Sequence, residues 1–386
     1  MSETASPTLL PEGLRDVLPS DAEAEANLVE RLTASFNANG YDRVSPPLVE
    51  FESTLLAGMG AATADRIFRM VDPISQRTLG IRADVTAQIA RLASTRLQNA
   101  PRPLRLMYAG QVLRVKGHQL RPERQFTQVG FELVGPESVA ADAEAIIVAV
   151  QAVVSLDIKD ITIDLALPPL VPSLLESVEL DDNDTDALYS ALNHKDAAEI
   201  RRLGGAQADI LSALVEASGP LSVARDVLGK IDLPAAAAAH LETLFEVADT
   251  VKAVSPDLKL TVDLVENRGL QYHTGVTFFL FAKGSTREIG RGGRYHVDHG
   301  DDVIEPATGA TLFMDALLPV APHSSLMSCV YAPYGTTRNA IGKLQSDGFR
   351  VRVSLSTETD SLSDAKALGC SHMFQDGEVV DVSSEG

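Results

Sequence analysis

The chain is predicted to adopt an α+β fold in which an antiparallel sheet is flanked by helices, interrupted by a helical insertion and followed by a short α/β C-terminal unit. The first sign is residues 102–135, which read as two long strands around a basic loop containing Pro and Gly. In the second of these strands Phe126, Gln128, Gly130 and Glu132 point one way and Val129, Phe131 and Leu133 the other, because residues two apart share a face. One face is core. The other sets a carboxamide beside a carboxylate, and the facing strand can bring up Arg114, which makes a pocket floor with fixed charges of both signs. The second sign is helical periodicity over about residues 173–254, an Ala-, Leu- and Asp-rich stretch, and the third is a run of short strand and helix patterns after residue 323. The implied divisions are residues 1–166 and 257–322 for the two parts of the body, 167–256 for the insertion and 323–386 for the C-terminal unit.

In chain order, residues 11–19 are a turn-rich lead. Ser20-Asp-Ala-Glu23 has the pattern of a capping box, whose Ser and Glu satisfy the first free amides of a helix. Leu28, Leu32 and Phe36 recur on one face of that helix, and Asn39-Gly40 supplies a left-handed stop. Residues 40–50 read as an edge or interface strand, since Pro47 has no donor for a central ladder. Residues 67–72 and 77–84 form a hairpin leading into a helix over 86–97, and Asp84, at the junction, reads locally as an N-cap. Past the central hairpin come an amphipathic helix over 140–154 and a strand over 160–166, after which Pro168, Pro169 and Pro172 break the pattern. Residues 258–265 and 276–282 are strands, the second apolar on both sides and hence buried. Gly290-Arg-Gly-Gly-Arg-Tyr295 lacks the G-x-G-x-x-G spacing and a Rossmann crossover, which excludes a dinucleotide loop. His194 and His240 lie on insertion helices without metal-ligand spacing and read as solvated or capping residues. Residues 328–369 read as a strand-helix-strand-helix unit with a marginal core.

The 386 residues, 45% hydrophobic and 22% charged, have an ordinary globular composition and suit about two to three domains. A formal charge of -20 and a pI near 4.8 work against a nucleic-acid footprint, which needs clustered Lys and Arg. Cys329 and Cys370 form no C-x-x-C pair, so neither a zinc site nor a disulfide framework is expected, and a reduced cytoplasm suits them. The first residues lack the basic start and apolar run of a signal peptide, and no apolar stretch is long enough to span a bilayer. The expectation is a cytoplasmic protein with no metal, no cofactor and no membrane association.

The hairpin of residues 102–135 resembles the second signature of class II aminoacyl-tRNA synthetases, and closely that of histidyl-tRNA synthetase; further matches extend the resemblance over about residues 8–318. Residues 40–50 resemble the first signature, which implies a dimer interface. Arg82-Ala-Asp-Val-Thr-Ala87 is similar to the family's Arg-Pro-Glu-Gly-Thr-Ala, whose acid and Thr hold the amino group of histidine, so Asp84 gains a second reading beside the N-cap. Arg268-Gly-Leu-Gln-Tyr-His-Thr-Gly275 resembles the histidine-specific Arg-Gly-Leu-Asp-Tyr-Tyr, which implies that Arg268, Tyr272 and His273 face the carboxylate and imidazole of the ligand, with His273 in place of the second Tyr. The local alternative for Arg268 is an ion pair with Asp263 or Glu266. Gly290 to Tyr295 matches the synthetase Gly-Gly-Arg-Tyr turn that borders the amino-acid pocket. The implied histidine-binding set is therefore Asp84, Thr86, Arg114, Gln128, Glu132, Arg268, Tyr272 and His273. It combines acceptors for an ammonium with guanidinium groups for a carboxylate, each charge-assisted contact contributing roughly 1.5 to 3 kcal/mol.

The departures from the synthetase pattern concern ATP. Amino-acid activation needs the phosphates held by paired arginines and Mg2+, because charge migrates onto pyrophosphate as the adenylate forms. Where the family has Arg-x-Glu this chain has Arg114-Val-Lys116, and in Thr308-Gly-Ala-Thr-Leu-Phe-Met-Asp-Ala316 the phosphate-binding Arg is Ala316 and Phe313 stands where Gly is expected. Losing such an arginine costs on the order of 10³- to 10⁵-fold in rate. Adenylation is not expected. A synthetase body that keeps a histidine pocket, loses ATP chemistry and lacks most of the tRNA module resembles the regulatory subunits of ATP phosphoribosyltransferase. That resemblance implies a non-catalytic protein which pairs with and activates the short-form catalytic subunit at the first step of L-histidine biosynthesis. It also implies L-histidine sensing for feedback inhibition, and dimers within a hetero-octamer of four regulatory and four catalytic chains. An active histidyl-tRNA synthetase and an interaction scaffold with a vestigial pocket stay open as alternatives.

Overall fold

The computed structural model describes residues 9–117, 121–176, 178, 180–266, 269–270, 272–300, 303–322, 327–357 and 360–382. Two units are separated by their contacts, residues 1–322 and residues 323–386.

In the first unit, α1 (Pro19–Ala38) buries Leu28, Leu32 and Phe36 along one face. The capping box expected at Ser20 does not open it: the helix begins at Pro19, behind Leu18, which makes no side-chain cap. Proline at the first helical position has its φ preset and no amide to satisfy, which moves the start upstream. Gly40, at φ +82, makes the expected stop. Strands β1 (Asp42–Arg43) and β2 (Val49–Phe51) flank Pro46 and Pro47, which stay out of both ladders. After α2 (Glu52–Leu55), the hairpin β3 (Phe68–Val71) and β4 (Thr78–Ile81) joins β2 in a small sheet and leads into α3 (Thr86–Ser94). The central hairpin is β5 (Leu104–Leu113) and β6 (Gln125–Val134), followed by α4 (Val139–Val154) and β7 (Ile161–Ala166).

The prolines expected only to break the pattern start a helix instead. Pro169 caps α5 (Leu170–Leu175) and Pro172 sits in its first turn, where no amide has an intrahelical partner to lose. The insertion continues with α6 (Asp182–His194), α7 (Ala197–Leu203), α8 (Ala208–Glu216), a short β8 (Gly219–Pro220), α9 (Leu221–Leu228) and α10 (Ala235–Val254). Its Leu188, Leu211, Leu244 and Val247 join the same core as the sheet. The unit ends with β9 (Lys259–Val262), β10 (His273–Ala282), β11 (Gly290–Asp298), β12 (Ile304–Phe313) and α11 (Met314–Leu317). Gly290 to Tyr295, expected as a turn, is therefore strand, paired in register with β12 from Gly290 opposite Leu312 to Asp298 opposite Ile304.

Among the described residues these strands make a nine-stranded sheet in the order β1-β5-β6-β12-β11-β10-β7-β9-β8, antiparallel except at β1–β5 and β7–β9. Helices α1 and α4 cover one face, with α10 behind α4. There Phe131 lies 4.8 Å from the rings of both Phe36 and Tyr41, and each such buried side chain contributes about 1.5–3 kcal/mol. Helix α3 packs on the opposite face, against β11 and β6.

The second unit holds β13 (Cys329–Ala332), α12 (Arg338–Ser346), β14 (Arg350–Val353), α13 (Ser361–Ala367), β15 (His372–Gln375) and β16 (Glu378–Asp381), with the sheet order β14-β13-β15-β16. The last two strands extend the expected unit by a hairpin turned at Asp376 and Gly377, both at positive φ. No helix among the described residues is long and apolar enough to cross a membrane.

Candidate functional site

Strand register builds the site floor on the face that carries α3. Tyr108, Gly130, Thr311 and Arg291 form one row across β5, β6, β12 and β11, and Leu106, Glu132, Gly309 and Gly293 form the next. Glycine keeps this floor low. A Cβ on Gly309 would fall 2.0 Å from Glu132 Oε2, and one on Gly130 would fall 2.4 Å from the Tyr108 hydroxyl, so both polar side chains lie across bare backbone.

Asp84 enters from the junction of β4 and α3. Arg82 fixes that junction from behind, donating to the carbonyls of Gln111 at 2.8 Å and Pro46 at 3.0 Å. The carboxylate of Asp84 accepts the Thr86 amide at 2.9 Å through Oδ1 and Gln128 Nε2 at 2.8 Å through Oδ2. Val85, not Asp84, occupies the N-cap position, yet Asp84 still satisfies an amide of the first turn. Gln128 is fully buried and its Oε1 accepts the Val85 amide at 3.0 Å. Its amide group is thus engaged by protein on both sides and orients Asp84.

Two recesses open above this floor. The smaller, about 310 Å3, is lined by Asp84, Thr86, Glu132, Tyr272, His273, Arg291, Tyr295 and Thr311 among others; the larger, about 570 Å3, is lined by Arg66, Asp84, Arg114, Tyr272 and Arg291 with small residues. Asp84, Tyr272 and Arg291 belong to both. Glu132 is buried and accepts the Tyr295 hydroxyl at 3.0 Å. Burial, with the Asp84 charge adding to it, pushes its carboxyl up to about 8 against the opposing hydrogen bonds of Tyr295, Thr86 and Tyr108. At neutral pH this group both donates and accepts. Burial and the Arg291 charge hold His273 neutral, down to about 3, and its Nδ1 has no hydrogen-bond partner among the described residues. Arg114 is lowered to about 10 by burial, stays charged, donates to the Ala83 carbonyl at 3.3 Å and lies over the Phe126 ring.

The corner at α11 is arranged differently. Asp315, buried, lies 3.1 Å from Arg121 Nε and 3.1 Å from Arg287 Nη2, and Arg287 also donates to Glu123 at 2.8 Å. Arg121 stacks 3.9 Å above the Phe313 ring, which meets Phe126 edge-on. Phe313 and Ala316 are both buried in packing. The arginines here are neutralised within the chain, and the residues that replace the phosphate-gripping positions are part of the core.

Of the residues singled out from sequence, Asp84, Thr86, Glu132, Tyr272 and His273 converge on the smaller recess, and Arg114 reaches only the larger. Gln128 stands behind Asp84, and Arg268 lies outside the described residues. Sequence reasoning put residues 290–295 at the border of the pocket without singling out Arg291 or Tyr295, and it missed Tyr108 and Thr311. The signal was available for the first two, since 291, 293 and 295 share one face of a strand, but reading that segment as a turn hid it.

A family model described as histidyl-tRNA synthetase matches residues 13–317. The ATP phosphoribosyltransferase regulatory subunit of Paramagnetospirillum magneticum is 47% identical over 382 residues, covering 99% of this chain and 100% of that protein. That of Rhodospirillum rubrum is 47% identical over 380 residues, 97% of each chain. Among solved structures, an ATP phosphoribosyltransferase regulatory subunit/histidyl-tRNA synthetase from Bacillus halodurans shares the fold with a TM-score of 0.80 at 23% identity, over 95% of this chain and 97% of that one.

Proposed function

Because the chain belongs to the family of ATP phosphoribosyltransferase regulatory subunits, we propose that it acts without catalysis of its own at the first step of L-histidine biosynthesis, pairing with the short-form catalytic subunit in the cytoplasm and raising its activity. In this reading it forms dimers within a hetero-octamer of four regulatory and four catalytic chains. L-Histidine binds beside Asp84, and feedback follows from its greater affinity for the less active arrangement of the complex.

The observation that carries the ligand assignment is the pair of buried or half-buried acids, Asp84 and Glu132, lining the same recesses as Arg114 and Arg291, neither of which makes an ion pair with a described residue. Asp84 suits the ammonium of an amino acid. Glu132, able to donate or accept, suits an imidazole, and a guanidinium suits the carboxylate, a role for which the family resemblance points to Arg114 and Arg268. The internally neutralised corner at α11 supports the absence of adenylate chemistry.

Co-purification with a short-form ATP phosphoribosyltransferase, followed by assay of that enzyme with and without this chain and with L-histidine added, tests the proposal. Activation by the chain and loss of activity with histidine are expected. Failure to associate, or pyrophosphate exchange dependent on histidine and ATP by the chain alone, would reject it.

A further inference from the structure

Among the described residues, the two recesses share one cation, Arg291. We propose that Arg291 is a specificity-determining residue of this site: it grips the carboxylate of the bound amino acid, and the site rejects analogues that keep the ammonium and imidazole but lack that group. This rests on the reading of the recess as an L-histidine site.

Placement comes first. Arg291 is opposite Thr311 in the row that carries Tyr108, and it shares its strand face with Tyr295, whose hydroxyl reaches Glu132. It therefore rises from the same floor as the acid that suits an imidazole, and it lines both recesses. Strand placement also makes it rigid at its root, as ligand positioning requires.

Its partners, or their lack, come second. Arg82, Arg121, Arg287 and Arg294 all make hydrogen bonds or ion pairs with protein groups. Arg291 makes neither with any described residue, and the Phe313 ring lies 6.0 Å away. Asp84 shares the recess and its charge favours the Arg291 cation, but it makes no ion pair with it, its two carboxylate oxygens accepting from Thr86 and Gln128. A half-buried guanidinium with five donors and no acceptor is poorly satisfied, and a planar carboxylate meets it in bidentate geometry. Arg114 is the weaker candidate for the same task, since its Nε is bonded to Ala83 and it does not line the smaller recess.

The experiment is calorimetry on the full-length chain with L-histidine and with L-histidinol, which carries a hydroxymethyl in place of the carboxylate. The parent should prefer histidine by roughly 10- to 100-fold, the range of one charge-assisted bidentate contact. Arg291→Met should bring the two affinities within about threefold by weakening histidine alone, and Arg291→Lys, a point charge without the fork, should keep part of the preference. A preference that survives in Arg291→Met overturns the inference while leaving the histidine site standing. Equal loss of both ligands in both variants also overturns it, as a structural role. A parent chain that binds no histidine removes this inference and the ligand assignment together.

Discussion

Two clusters of charge in the first unit are handled in opposite ways. At α11, Arg121 and Arg287 converge on Asp315, and the space around them is filled by Phe313 and Phe126. Beside α3, Asp84 is held rigid by its neighbours, whereas Arg291 makes no hydrogen bond or ion pair and His273 Nδ1 no hydrogen bond with any described residue. A charge paired inside the chain adds to cohesion and is closed to ligands; a charge left unpaired on a fixed strand costs stability and is open to them. On the proposed reading the recess serves a ligand and the corner serves cohesion.

The largest effect that would break this contrast is in the corner. Asp315→Ala takes from Arg121, only 2% exposed, its closer acid and leaves only the longer contact to Glu288 at 3.9 Å, and should lower stability by roughly 3 kcal/mol in denaturant titration. Histidine affinity of the folded fraction should change less than about threefold. A large loss of affinity at unchanged stability would mean that the corner, too, serves the ligand.

Next is Glu132. Its carboxyl titrates at about 8 when folded against an ordinary 4.5, so the folded state holds an extra proton between those values; its contribution to stability is full below pH 4.5 and is lost as pH rises through 8. Glu132→Gln removes that slope. Its melting temperature relative to the parent should climb between pH 5 and pH 8.5, by the equivalent of a few kcal/mol at most. A pH-independent difference would show that Glu132 ionises normally.

Gln128→Met, of similar volume, deprives Asp84 and the Val85 amide of a partner and should cost about 1–3 kcal/mol of stability, with weaker histidine binding by calorimetry. Unchanged affinity would separate Asp84 from the ligand.

The smallest effect is at His273, which is neutral when folded, down to about 3 against an ordinary 6.5. Its contribution to stability is present above pH 6.5 and falls as the pH drops toward 3. His273→Asn should flatten the acid limb of the stability profile, by about 1–2 kcal/mol at pH 5.

Much of this was legible in the residues. Alternation in residues 125–134 put Gln128 and Glu132 opposite Phe131, and the hairpin and helix around Asp84 followed from local pattern. Pattern failed where context outweighed it. Pro19 displaced a good capping box, Pro172 was absorbed into a first helical turn, and a glycine-rich stretch became strand because β12 lay alongside it. Asp84 showed that two local readings need not compete, since one carboxylate satisfies a helix amide and also lines a recess.

Taken alone, the sequence determined which faces of the strands are apolar and which polar side chains share a face, because those properties repeat every two or four residues along one element. Only the tertiary structure decided which of the polar groups are paired. Tyr295 reaches Glu132 across 163 residues of chain, and Arg121 meets Asp315 across a comparable separation. Whether a charge is neutralised by its own chain or left for a ligand depends on register between distant strands, which no local pattern contains.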